Sequence, residues 1–218
     1  MLNKTAANQT IQSVKYGYLY NYYVLANPSS IANTGWKAPA ASDFEILIAY
    51  LAANSAYKVR ETGTTYWSTN DGLNSVGFKA KGAGNRNFGT FIYLTTTTRY
   101  RTTSAGFGGA FTSYKITTVD ADILVDFREE IDADGWSIRL LKESTELTDG
   151  QTGLYVSNDG KRYRTICINN QEWLADNLCE TKYRDGTEIP TVTDESTWAA
   201  LVTGAKCAYN NDESNVYT

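Results

Sequence analysis

Eight side chains in this chain have the types that dominate binding surfaces: Arg86, Phe88, Tyr93, Arg99, Tyr100, Arg101, Phe107 and Tyr114. Arg and aromatic side chains bury large area with few lost rotamers, so they carry most of the energy at an interface. The chemistry they point to is recognition without bond making. Composition narrows the covalent alternatives. The chain has no His, which excludes Ser-His-Asp and Cys-His nucleophile systems and any His-ligated zinc or iron site. Cys167, Cys179 and Cys207 have no Cys-x-x-Cys spacing and are odd in number; they read as small buried hydrophobes. Asp132-Ala133-Asp134-Gly135 starts like a calcium loop, but the downstream acid of an EF-hand is missing. No catalytic residue, metal or cofactor is expected.

Charge adds a second signal. Residues 1–149 hold 14 acids and 14 bases, so the net charge of −4 is carried by residues 150–218, with 10 acids and 6 bases. No Asp or Glu occurs between Gly72 and Val119, a window with Lys79, Lys81, Arg86, Arg99, Arg101 and Lys115. Asp120, Asp122, Asp126, Glu129, Glu130, Asp132 and Asp134 follow at once. This arrangement suits a basic face for an anionic ligand. It suits equally two adjacent strands whose opposite charges pair across a sheet.

The elements that must position these residues are few. Hydrophobic content of 42% and charged content of 20% are ordinary for a globular protein, and 218 residues suffice for a real core. Residues 1–13 are polar without periodicity and read as an extended arm. Ser42-Asp43-Phe44-Glu45 reads as a capping box, followed by Phe44, Leu47, Ile48 and Leu51 at helical spacing, with an end near Asn54. A second short helix is predicted over Glu195–Val202, with Trp198, Leu201 and Val202 inward and Gly204 as its stop. The remainder, rich in Tyr, Thr, Ile and Val and broken by Gly, Asn and Asp, reads as short strands and long loops. Phe91–Leu94 and Tyr114–Ile116 are predicted strands, Thr95–Thr98 and Ala105–Ala110 irregular, and Asp134-Gly135 a tight turn into a strand over Trp136–Leu141. The fold class is α+β, with few helices, short strands and long loops.

Two segments carry a resemblance. Residues 16–142 run from Tyr16-Gly17-Tyr18-Leu19-Tyr20-Asn21 through Gly35-Trp36-Lys37-Ala38-Pro39 and Glu61-Thr62-Gly63-Thr64-Thr65-Tyr66-Trp67 to Gly135-Trp136-Ser137-Ile138-Arg139. Residues 159–211 carry Asp159-Gly160-Lys161-Arg162-Tyr163, Asn170-Gln171-Glu172-Trp173-Leu174-Ala175-Asp176-Asn177-Leu178 and Asp185-Gly186-Thr187-Glu188-Ile189-Pro190. Together, over about four-fifths of the chain, they resemble the Fibrobacter succinogenes major paralogous domain, a C-type-lectin-like module of Bacteroidetes surface proteins and their phages. In that family the Gln-Glu-Trp-type segment comes first; here it comes second, as in a circular permutation. The resemblance implies a C-type-lectin-like fold divided as an arm at 1–13, a core segment at 14–143, a linker at 144–151 and a complementary segment at 152–218. It implies core packing for Trp36, Trp67, Trp136 and Trp173, and chain ends that lie close together, which makes a reversed order tolerable. About sixty residues are few for an independent core, so residues 152–218 are expected to dock on a segment like 16–142, of the same chain or of a neighbour.

The same resemblance bears on activity. Calcium-dependent C-type lectins use a Glu-Pro-Asn-type loop and a Trp-Asn-Asp-type strand, whereas this chain has Glu188-Ile189-Pro190 and Trp67-Ser68-Thr69. Formylglycine-generating oxidases of the same fold need a redox-active cysteine pair, and the first segment has no Cys. The family is also similar to variable proteins diversified by retroelements, whose exposed residues match roughly Asn85–Tyr114 here, a region with the Asn, Tyr, Ser and Gly of an adaptable paratope. The expectation is a non-enzymatic phage structural protein in a fibre, head decoration or tail appendage, displaying a lectin-like module for a host surface receptor or glycan. The alternative is a bacterial cell-surface or secreted adhesin of the same family. Residues 1–13 show no apolar signal region, which fits a virion location. Expected partners are other virion proteins or copies of the chain, with no nucleic acid and no membrane insertion.

Overall fold

Runs of Tyr, Thr, Ile and Val between Gly and Asn turns become the strands of this protein, as β-branched and aromatic side chains favour. The computed structural model describes residues 11–105, 111–128 and 134–218. Strand β1 (Leu19–Tyr20), helix α1 (Tyr23–Ala26), strand β2 (Trp36–Lys37), helix α2 (Ala41–Leu51) and helix α3 (Ser55–Val59) come first. Then follow β3 (Ala83–Asn87), β4 (Thr90–Leu94), β5 (Thr97–Ala105), β6 (Phe111–Thr117), β7 (Leu124–Arg128) and β8 (Leu141–Lys142). The chain continues with β9 (Thr152–Val156), β10 (Arg162–Ile168), β11 (Gln171–Leu174), α4 (Glu195–Ala199) and β12 (Lys206–Cys207). Strand outweighs helix and every helix is short, so the class is α+β.

One five-stranded sheet has the order β2-β8-β11-β10-β9, with Trp36 opposite Lys142 and Leu141 opposite Trp173. It therefore mixes strands from before residue 143 and after residue 152. A second has the order β4-β3-β5-β6-β7, antiparallel except where Gly84 meets Thr98 in parallel. Helix α2 packs Phe44, Leu47 and Leu51, one face at helical spacing, into a shared core. There Phe44 stacks on Tyr114 at 4.5 Å between ring centres, and Trp173 lies 5.0 Å from Phe44 and 5.8 Å from Phe78. Trp67, Trp136 and Trp173 are buried and Trp36 nearly so. Trp173 thus packs against the first segment of its own chain.

The first described residues meet the C-terminus. Val14 bridges Tyr217, the Thr218 amide donates to the Ser13 carbonyl at 3.1 Å, and β1 pairs with β12. Gln12 and Ser13, expected in an extended arm, are bonded to the body: the Gln12 amide donates to the Arg162 carbonyl at 2.7 Å. Residues 1–10 of that arm lie outside the described residues.

Several local expectations are corrected. Helix α2 begins at Ala41, and the side chain that reaches back is Asp43, whose carboxylate accepts from the Ala40 amide at 2.7 Å and pairs with Lys37 at 2.9 Å. Ser42 is inside the helix because the Asp at the third position supplies the stronger, charged acceptor. The helix stops at Ala52, where φ is 53°, before Asn54. Thr97 and Thr98 open β5, since a Thr run suits a strand covered on both faces. Helix α4 closes at Ala199, short of Val202, with Asp194 accepting from Thr197 as its cap. Residues 135–137 make isolated bridges to Arg86, Tyr20 and Tyr100 rather than one strand through Leu141.

Candidate functional site

Most of the eight residues read as a binding surface are interior. Arg86, Tyr100, Arg101 and Tyr114 are fully buried and Arg99 is 7% exposed. The reason is that β5 and β6 are central strands covered on both faces. Tyr100 and Tyr114 point at Phe44, with the Tyr114 hydroxyl donating to the Ala41 carbonyl at 3.0 Å and the Tyr100 hydroxyl to Asn177 at 3.1 Å. On the other face Arg99 donates to Asp126 at 2.7 Å and Asn85 at 2.8 Å. That bond realises the cross-sheet pairing of opposite charges. Arg101 lies 4.1 Å above the Trp136 ring and donates to the Asp134 carbonyl at 2.5 Å. Arg86 donates to the carbonyls of Gly89, Val192 and Thr193 at 3.1, 2.8 and 2.9 Å, with Trp198 and Phe91 rings 4.5 and 4.9 Å from its guanidinium. These arginines clamp loops; a surface ligand would not touch them. Phe107 lies outside the described residues.

Phe88 and Tyr93 are the two that face solvent, at 58% and 54% exposure. Both sit on the β3–β4 hairpin, and both have left-handed backbones, φ 50° and 67°, with Thr95 at 61° just beyond. For a residue with a side chain that conformation costs about 1–2 kcal/mol. The surroundings impose it. The Phe88 amide donates to Asp134 at 3.2 Å, the Arg86 clamp fixes the turn, and Arg86 and Gly135 exchange both backbone bonds at 3.0 and 2.8 Å. Gly84, at φ 64°, lets the hairpin close on the chain's C-terminal turn. A Cβ there would sit 2.6 Å from both the Ile92 carbonyl and the Tyr209 ring. Strain at two exposed aromatic residues on one hairpin marks the strongest candidate site on geometric grounds.

No protein family, no curated protein and no solved structure matches this chain. Its binding chemistry must be read from its own side chains.

A second constellation lies where residues 11–14 cross the body. A polar cleft of about 300 Å³ is lined by Gln12, Glu61, Tyr66, Lys79, Lys81, Arg164 and Asp176, among others. Lys81 forms its floor: the ammonium pairs with Asp176 at 2.7 Å, donates to the Val14 carbonyl and lies 4.5 Å above the Tyr66 ring. Burial pulls the Lys81 ammonium below its ordinary pKa while Asp176 pushes back. The basic window of the sequence contained Lys79 and Lys81. Glu61, Arg164 and Asp176 could not be joined to them without the fold.

Elsewhere the titratable groups are structural. Glu180 is buried behind the β9–β10 turn and accepts from the amides of Asn158, Asp159, Thr181 and Lys182. Burial and the neighbouring Asp159 raise it to about 7. Asp159 is held down at about 2 by its bonds to Lys161, Ser157 and Thr181, against its own burial. Burial pushes the thiols of Cys179 and Cys207 up to about 12, so neither is a nucleophile at neutral pH. All three cysteines are buried.

Proposed function

We propose that this chain is a non-enzymatic structural protein of a phage virion, in a fibre, head decoration or tail appendage, that displays a lectin-like module for a host receptor or glycan. The β3–β4 hairpin is its contact surface, and Phe88 and Tyr93 supply the aromatic faces on which a sugar ring or receptor side chain rests. The observation that carries this reading is their exposure on a strained, clamped backbone. The left-handed backbone and the exposed apolar area are two separate costs at the same residues, and a binding surface is what offsets them. Clamping also lowers the entropy lost on binding, since the hairpin is already in its bound shape.

The C-type-lectin-like, permuted architecture is part of the same proposal. Supporting it are the family motifs in both segments, the long loops between few helices, and the bridge from Val14 to Tyr217 near the C-terminus. The virion assignment rests on the resemblance to a family found in phages.

Binding of the purified chain to a glycan array and to intact Bacteroidetes cells tests the module. The wild type should be retained. The exposed double variant Phe88→Ala, Tyr93→Ala should bind about tenfold weaker or less, the loss expected of hot-spot aromatics, with an undiminished melting temperature. Retention equal to wild type, or no retention on any surface, overturns the reading. Antibody labelling of particles from the source culture tests the location, and label confined to cell envelopes overturns it.

A further inference from the structure

The cleft beneath residues 11–14 has the composition of a second ligand site, separate from the hairpin. Lys79 and Lys81 precede β3, whereas Phe88 closes the far end of that strand. We propose that this cleft binds a small acidic sugar, taking its carboxylate on Lys79 and Arg164 and its hydroxyls on Gln12 and Glu61.

Four observations converge on it. First, the half-buried Lys79 and the exposed Arg164 both line the cleft, and neither has a hydrogen-bond or ion-pair partner among the described residues, so both cations stay hydrated and open to an anion. Second, Lys79 has φ 55°, a left-handed strain a lysine adopts only where the surroundings over-determine it. Its amide is tied to the Asn74 side chain at 2.9 Å and its carbonyl to Arg139 at 2.8 Å, which fixes the side chain's base at the cleft wall. Third, the floor is rigid. Lys81 is 4% exposed and held by Asp176, the Val14 carbonyl and the Tyr66 ring, so the wall keeps its shape when a ligand enters. Fourth, the volume is at the small end for ligand clefts, enough for one ring.

The charge pattern selects the ligand. Three cations share the cleft with the carboxylates of Glu61 and Asp176. A dianionic phosphate would be drawn to the cations and repelled by the acids at close range. A monoanion that also carries hydroxyl donors satisfies both sets, since ionised carboxylates accept hydroxyl hydrogens. Tyr66 adds an amphipathic ring beside them. A sugar acid combines one carboxylate, several hydroxyls and an apolar ring face.

Calorimetric titration of the full chain at low ionic strength tests this, with D-glucuronate, D-galacturonate and N-acetylneuraminate as probes and D-glucose, acetate and inorganic phosphate as controls. At least one sugar acid should bind saturably, with glucose and acetate about tenfold weaker or worse, one charge-assisted or hydroxyl bond set being lost in each. The double variant Lys79→Gln, Arg164→Gln should lose that binding by about a hundredfold, tenfold per cation. Its melting temperature and its hairpin-dependent retention on cells should not change, because neither side chain has a partner among the described residues. Absence of binding by all three acids overturns the proposal, as does phosphate or acetate binding as tightly, or full affinity in the double variant. Failure of the hairpin variants leaves these outcomes unaffected, so the two sites are judged independently.

Discussion

Arg139 is the sharpest test of how this fold is held. Its side chain is fully buried. It donates to Asn177 at 2.9 Å, to the Phe78 carbonyl at 2.5 Å and to the carbonyls of Leu174 and Lys79, both at 2.8 Å. All four acceptors are neutral, and Phe78 and Tyr100 rings lie 4.5 and 5.5 Å from the guanidinium. Phe78 and Lys79 belong to the first segment, Leu174 and Asn177 to the second, so this one group stitches the two together. Replacing it with Met keeps the bulk and takes this donor from the Phe78, Leu174 and Lys79 carbonyls, while the Asn177 oxygen keeps the Tyr100 hydroxyl at 3.1 Å. A buried unsatisfied polar group costs about 1–3 kcal/mol, and three carbonyls would suggest several times that. Removal of a buried cation, however, returns part of its desolvation penalty. A net loss of about 4 kcal/mol follows. With a urea slope of about 2 kcal/mol per molar, the midpoint should fall by about 2 M at unchanged slope. Arg139→Lys keeps the charge but not the fork, so it should recover less than half of the loss. A midpoint shift under about 0.5 M for Arg139→Met, with the slope unchanged, would show that water or neighbouring donors replace the guanidinium, and would refute the stitch.

Phe88→Asn should stabilise the chain by about 1 kcal/mol while weakening ligand binding, because Asn tolerates the left-handed backbone and the exposed ring contributes little burial; a lower melting temperature would show that the ring packs in solution. The Asp159–Glu180 pair should give stability a pH dependence with two signs. Glu180 is raised to about 7, so the stability it contributes is complete below the ordinary Glu range and is lost as pH rises toward 7. Asp159 is lowered to about 2, so its contribution is present above the ordinary Asp range and is lost as pH falls toward 2. Urea midpoints should therefore peak between those limbs, and Asp159→Asn should move the upper limb down by removing one of the two causes of the Glu180 shift. A flat profile from pH 4 to 7 would contradict this.

What was legible in the sequence was what local pattern controls. Phe44, Leu47 and Leu51 announce α2 by their spacing, Phe91–Leu94 announces β4 by its composition, and the four tryptophans behave as core. The start of α2 was misplaced because the Asp43 carboxylate, not Glu45, reaches back, and does so to the Ala40 amide, while its end was misplaced because Ala52 turns left-handed without a Gly to announce it. The binding set failed for a different reason. Arg86, Arg99 and Arg101 are polar residues in a loop-rich region, and residue type alone says surface. The burial of Arg86 and Arg101 depends on partners 33 to 107 residues away, such as Asp134, Trp136, Val192 and Thr193. The cleft was half visible, since Lys79 and Lys81 are neighbours in sequence, while Arg164 and Asp176 arrive through the second segment.

Those misread arginines disclose how a chain with so little regular structure satisfies its backbone. Long loops leave carbonyls that no helix or ladder serves, and a buried carbonyl without a donor is costly. Arg60, Arg86, Arg101 and Arg139 are all fully buried, and each donates to at least one backbone carbonyl: Thr117, then Gly89 with Val192 and Thr193, then Asp134, then Phe78 with Leu174 and Lys79. Each also lies over an aromatic ring, respectively Trp67, Trp198, Trp136 and Phe78. The pairing is physically apt. A guanidinium is weakly hydrated for a cation, offers five donors in a fixed plane, and is attracted to a ring face, so its burial is partly compensated before any carbonyl is bonded. Arg86 and Arg139 each tie three carbonyls with one planar fork, which a lysine's point-like ammonium holds in less fixed directions. Surface loops can then vary in length and sequence while the carbonyls at their roots remain tied to fixed points.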